Sequence, residues 1–147
     1  MTQKQITTSL KFCQLQAREE NGEWKISGYA TVFGNKNSYG FQIRKGAYSK
    51  VLAEGVNPKM FFNHNSWDLP IGKWTDLKED DIGLKVEGVL TKGVSKAEDI
   101  YHAVKAGTVD GLSVGISWRA ADEVELDDGT IELSMIARLS EISVVTY

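Results

Sequence analysis

At 147 residues the chain has the usual size of one domain built around one core. A composition of 41% hydrophobic and 25% charged residues with only two prolines excludes a disordered tail or linker. A single cysteine, Cys13, and two histidines, His64 and His102, exclude an internal disulfide and a Cys/His zinc site, and no cofactor motif is present. A net charge of −3 without a basic tract argues against nucleic acid as a partner. The amino terminus carries no apolar run, and nowhere do ~18 apolar residues follow one another. The expectation is a soluble, cytosolic chain without a membrane span.

Apolar residues recur mostly with period two, which predicts strands. Leu10 and Phe12 alternate with polar neighbours, Glu20-Asn21-Gly22 supplies a turn, and Trp24, Ile26, Gly28, Ala30 and Val32 continue the alternation. This pattern predicts an amino-terminal hairpin. Residues 34–40 are rich in turn formers and read as a loop, followed by a short extended piece at Phe41–Ile43. Between Gly46 and Gly55, the spacing of Ala47, Tyr48, Val51 and Leu52 predicts a helix of about two turns. Met60-Phe61-Phe62 reads as a buried strand ending at Asn63-His64-Asn65, with a loop running to Pro70. Ile71–Leu77 and Leu84–Leu90 are two further strands joined by an acidic turn.

Ser95-Lys96-Ala97-Glu98 has the form of a capping box and predicts a helix start, with Gly107 ending it. From Gly111 the period returns to two: Leu112, Val114, Ile116 and Trp118 form one face, Ser113, Gly115 and Ser117 the other. Asp127-Asp128-Gly129 predicts a hairpin turn between a strand near Val124 and one at Ile131–Ala137, and Leu139–Tyr147 is a last strand. About eight strands with two helices predict a mainly β, α+β fold, a small closed or nearly closed β-barrel surrounded by helices.

Gly111-Leu112-Ser113-Val114-Gly115 matches the G-x-S-x-G string of the α/β-hydrolase nucleophile elbow. That fold requires a helix after the serine and a histidine later in the chain, whereas here a strand pattern follows and both histidines come first. The pentapeptide is then either a crowded barrel wall or a nucleophile whose flanking glycines admit a substrate backbone. His64, at a strand end beside a loop, is the candidate general base, since imidazole exchanges protons near neutral pH. A loop histidine bonded to backbone is the plainer account. His102 falls beside the apolar stripe of the second helix and reads as helical surface. Glu141 interrupts a strongly β run and is the candidate third group, unless it faces solvent from an edge strand. The acidic clusters at 79–81 and 127–128 read as solvated turns.

Read with their neighbours, these residues resemble the caudovirus prohead serine proteases, which mature the capsids of tailed phages. The matching blocks are Gly28-Tyr29-Ala30-Thr31-Val32-Phe33-Gly34, Phe62-Asn63-His64-Asn65 with Pro70-Ile71-Gly72-Lys73-Trp74, Gly111-Leu112-Ser113-Val114-Gly115, and Leu139-Ser140-Glu141-Ile142-Ser143-Val144-Val145-Thr146. The pattern departs from the family at Phe41 and Lys45. The resemblance implies one domain over residues 1–147, to which relatives add a carboxy-terminal tail, with an assemblin-like barrel. It also implies a serine endopeptidase with His64, Ser113 and Glu141 as its triad, and backbone amides near Ser113 for the oxyanion. The implied substrate is the scaffolding region of the phage major capsid protein, together with the protease itself, inside the procapsid in the host bacterial cytoplasm. A homodimer is possible, as in herpesvirus assemblins. Two other classes remain open from the residues alone: a catalytically inactive procapsid- or scaffold-binding β module, and a general serine esterase.

Overall fold

The computed structural model describes the backbone of residues 3–10 and the whole of residues 13–147. Eleven strands occur among the described residues: β1 (Gln3–Leu10), β2 (Gln16–Glu20), β3 (Glu23–Val32), β4 (Phe41–Ile43), β5 (Lys59–Phe62), β6 (Gly72–Glu79), β7 (Gly83–Leu90), β8 (Gly111–Arg119), β9 (Glu123–Glu125), β10 (Ile131–Leu133) and β11 (Arg138–Val145). Two α-helices, α1 (Ser49–Ala53) and α2 (Ser95–Ala106), accompany them. Eight strands form one sheet in the order β1-β8-β11-β5-β6-β7-β3-β2, antiparallel except for the β11/β5 pair. A small second sheet has the order β4-β10-β9.

The large sheet curls until β3 backs onto β8. A Cβ built on Gly28 would stand 3.2 Å from Leu112 Cδ1, the Tyr29 amide donates to the Cys13 carbonyl at 2.7 Å, and Cys13 Sγ donates to the Asp110 carbonyl at 3.1 Å. Inside the curl lie Ile26 and Ala30, Met60, Trp74, Leu84, Val86 and Leu90, the even residues Leu112–Trp118, and Ile142 with Val144, all buried. Each large side chain buried there contributes about 1.5–3 kcal/mol. The Trp74 indole N–H, which would be costly to bury unpaired, donates to the Ile142 carbonyl at 3.1 Å.

Closure of the barrel does not follow. Among the described residues β1 pairs only with β8 and β2 only with β3, so the sheet keeps two edges: of the closed or nearly closed barrel expected from sequence, the structure has a curled half-barrel without full closure. The amino-terminal hairpin also differs. Its turn is at Asn21-Gly22, both at positive φ (53° and 78°), but the strand before it is β2; Phe12 lies outside the described residues, and the backbone of Leu10 pairs with β8 instead.

α2 starts and ends where the sequence predicts, yet the capping box does not form. Val94 is the N-cap with no side-chain bond, and Ser95 is already the first helical residue, one position too late to accept from the first-turn amides. Gly107 ends the helix at φ 78°. Strand structure after the 127–129 turn is limited to Ile131–Leu133, and residues 134–137 are irregular. No helix among the described residues is long and apolar enough to cross a membrane.

Asp81, Asp127 and Asp128 are exposed turn residues as expected, while Glu79 and Asp80 are partly covered and engaged. Glu79 accepts from the Gly46 amide at 2.7 Å and the Ser49 hydroxyl at 3.2 Å, which ties the α1 segment to β6. Asp80 accepts the Tyr29 hydroxyl at 2.6 Å and the amides of Ile82 and Gly83 at 2.8 and 3.0 Å. Those bonds, the tyrosine's first, hold its carboxyl below the usual range. The two departures from the family pattern belong to this scaffold: Phe41 packs against Trp118 with ring centroids 5.4 Å apart, and Lys45 pairs with Asp81.

Candidate active site

β11 lies between the other two strands that matter, with β8 on one side and β5 on the other. The register sets Ser143 opposite Ser113 and Glu141 opposite Gly115. Strict alternation would not achieve this. Leu139 pairs with Ile116, so an unbroken ladder would bring Glu141 opposite Val114, on the apolar face. A bulge between Leu139 and Glu141 adds one residue and turns Glu141 onto the face that carries Ser113.

On the other side, β5 runs parallel to β11 and pairs Phe62 with Val144. Two residues beyond, the chain turns back through Asn63 and His64, at φ 52° and 59°. Apart from Gln14 and Asn21 these are the only described non-glycine residues at positive φ, a conformation that side chains adopt only where surroundings enforce it. The surroundings are visible. The Asn63 amide donates to the Val144 carbonyl at 2.8 Å, Asn63 Oδ1 accepts the Thr146 amide at 3.0 Å, and the His64 amide donates to Ser143 Oγ at 3.1 Å.

The result is a continuous chain of contacts. His64 Nε2 stands 2.7 Å from Ser113 Oγ, and His64 Nδ1 is hydrogen-bonded to Glu141 Oε1. A carboxylate can only accept, so the Nδ1 proton points at Glu141 and the Nε2 lone pair is left to face the serine hydroxyl. Ser143, fully buried, donates its own hydroxyl to Glu141 Oε2 at 3.0 Å while accepting the His64 amide. Ser113 is 2% exposed, whereas the side chains of His64 and Glu141 are 25% and 13% exposed, so the site opens on the histidine side.

The structure therefore brings together all three residues singled out from sequence. It leaves His102 on the exposed face of α2, 3.8 Å from Glu98. Among the described residues no cluster of three or more His, Cys, Asp or Glu side chains is placed to hold a metal. Ser113 sits within a strand at ordinary φ and not on a strained strand-to-helix turn, so the G-x-S-x-G string has a different meaning here. A Cβ on Gly115 would stand 3.0 Å from Glu141 Cγ and 3.1 Å from its Oε1, and one on Gly111 would stand 2.9 Å from Val145 Cγ2. Both glycines make room for β11. Strands also flank Ser113 on both sides, β1 pairing it with Ser9 and β11 with Ser143. Sequence reasoning missed Ser143; its position two residues from Glu141, on the same strand face, was the available signal.

Comparison with known proteins identifies the family of the chain. The family profile of the caudovirus prohead serine proteases matches residues 11–147. The prohead protease of Enterobacteria phage HK97 is 46% identical over 123 residues, 83% of this chain and 54% of that protein, so the chain spans about half the length of the curated relative it matches. The solved structure of the bacteriophage T4 capsid assembly protease superimposes with a TM-score of 0.75 over 97% of each chain at 9% identity, a likeness of fold alone. With a profile match over nearly its whole length and a relative so similar in sequence, the chain belongs to the caudovirus prohead serine protease family.

Proposed function

We propose that this chain is a serine endopeptidase that cleaves the scaffolding region of a phage capsid protein, and its own chain, inside the procapsid during prohead maturation. The observation that carries the reading is the His64 imidazole held between Ser113 Oγ and the Glu141 carboxylate. His64 Nε2 takes the serine proton as Oγ attacks the scissile carbonyl, and the same nitrogen returns a proton to the leaving amine. Water then enters by the same route and releases the acyl group from Ser113. Glu141 fixes the imidazole tautomer and stabilises its positive charge, and Ser143 fixes Glu141 together with the His64 backbone. The family, and the 46% identity to the prohead protease of phage HK97, support the choice of substrate.

Co-expression with a capsid precursor tests the reading. The parent chain should process the precursor and Ser113→Ala should leave it intact; equal processing by both would remove Ser113 from the mechanism. A fluorophosphonate should label the parent at Ser113, whereas absence of labelling would favour a binding module. Turnover of small esters with no peptide cleavage would favour an esterase.

A further inference from the structure

The register that sets Ser143 beside Ser113 extends across the sheet. Ser113, Ser143 and Phe61 form one rung over β8, β11 and β5, and the next rung begins with Gly115, Glu141 and Lys59. From Lys59 it continues through Lys73 on β6, Val89 on β7, Lys25 on β3 and Arg18 on β2. Directly paired residues share a face, and the sequence neighbours Met60, Trp74, Leu90 and Ile26 are buried inside the curl. The rung therefore crosses the outer face of the sheet, the one that carries Ser113 and Glu141. Four of its members are cations.

The two halves of this row differ. Arg18 is paired with Glu20 and Glu87, and Lys25 with Glu20. Lys59 and Lys73 are exposed and stand directly opposite each other, and neither has an ion pair among the described residues. Like charges directly opposite one another destabilise a sheet, and this chain, with 20 acidic against 17 basic residues, sets no acid against them. Glu141, next along the rung, is already engaged, one oxygen by His64 and the other by Ser143. Two uncompensated cations beside the triad carboxylate attract anionic groups from outside the chain.

The position relates them to the reacting serine. Neighbouring strands are about 4.8 Å apart and successive rungs of one face about 7 Å, so Lys59 is about 12 Å from Ser113 across that face. An extended peptide covers this distance in about four residues.

We propose that Lys59 and Lys73 form a docking shelf for an acidic segment of the polypeptide being cleaved, several residues away from the scissile bond. This rests on the hydrolase reading above and adds the chemical class of chain that the site recruits. A nucleic acid fits the row less well, because it needs a longer track of free cations and Arg18 and Lys25 are already neutralised by Glu20 and Glu87.

The probe is a peptide library digested from a bacterial proteome, with cut sites read by mass spectrometry and fluorophosphonate labelling measured in parallel. Peptides cut by the parent should be enriched in Asp or Glu about three to six residues to one side of the cut. A synthetic peptide built on such a cut is then compared with its counterpart carrying Asn or Gln at the acidic positions. The parent should show a KM about fivefold lower for the acidic form, with kcat alike. In Lys59→Gln/Lys73→Gln that ratio should fall within about twofold, and in Lys59→Glu/Lys73→Glu it should invert. Raising the salt from about 0.05 to about 0.5 M should bring the parent's ratio towards one. The absence of acidic enrichment in a parent that labels and cuts overturns the shelf alone, whether or not the variants fold. An unchanged ratio in either folded variant overturns the assignment to these two lysines. Binding of a duplex DNA of about 20 base pairs more tightly than the acidic peptide, lost in the glutamine variant, assigns the row to nucleic acid and overturns the shelf as well. A parent that neither labels nor cuts overturns the hydrolase reading, and the shelf with it.

Discussion

Gly115→Ala separates two readings of the second glycine in G-x-S-x-G. The added Cβ would stand 3.0–3.1 Å from Glu141 Cγ, Cδ and Oε1, a few tenths of an ångström inside ordinary contact at 3.4–4 Å. The carboxylate must retreat by that amount, and it is the group that orients His64. Crowding of this kind costs about 1–3 kcal/mol, offset by about 0.4–1 kcal/mol because alanine restricts the unfolded chain, so the net loss of stability is about 2.6 kcal/mol or less. Complete loss of a triad carboxylate's role costs about 10⁴-fold in kcat. A displaced but present carboxylate should lose part of that, about tenfold or about 1.4 kcal/mol in the barrier. Fluorophosphonate labelling rates measure this on Ser113 directly. In a Glu141→Ala background the methyl group has nothing to push against, so the further effect of Gly115→Ala should fall within twofold. An undiminished tenfold loss in that background would refute the reasoning and restore the alternative, that glycine is there to admit substrate.

Ser143→Ala removes the bond to Glu141 Oε2 and the acceptor for the His64 amide. We expect kcat to fall about 10–100-fold with KM little changed and partial rescue by Ser143→Thr, measured by peptide hydrolysis across pH. Glu132 accepts from Arg44 Nε and Gln42 Nε2, and the Arg44 bond first holds its carboxyl below the usual range. Since the unfolded value is about 4.3, that stabilisation is full above it and disappears as pH falls through the folded value. Glu132→Gln should therefore unfold more easily than the parent at pH 7 and converge with it under acid conditions, in parallel denaturant titrations; a constant gap would contradict the shift. A Cβ on Gly88 would stand 2.7 Å from Met60 Cε and 2.8 Å from both the Lys73 carbonyl and Trp74 Cε3. Gly88→Ala should lose about 2–3 kcal/mol in chemical denaturation, since the carbonyl belongs to a paired strand and cannot retreat as a side chain can.

Local pattern carried well where one physical rule dominated. The apolar stripe Ala97, Ile100, Tyr101 and Val104 with a glycine behind it located α2, and alternation located β3, β7 and β8. It failed where the competing answer was non-local. Nothing within Gln3–Leu10 says that this polar segment pairs with β8, because its partner is more than a hundred residues away. Nor can alternation distinguish a closed barrel from a sheet that curls and keeps its edges, since both present the same inward residues.

The amino-acid sequence by itself determined which side chains were available to do chemistry. With two histidines and one of them on a helix surface, His64 was the remaining base, and its place before Ser113 excluded the elbow fold. Only the tertiary structure decided that these residues meet. The bulge at Leu139/Glu141 rotates a carboxylate from the apolar face to the serine's face, and two positive-φ residues fold the imidazole back over β11. Ser143 became part of the site only because β11 is sandwiched between β8 and β5. A strand's periodicity fixes which residues share a face, but the partner, the register and any inserted residue fix what that face touches, and those are set by distant segments of chain.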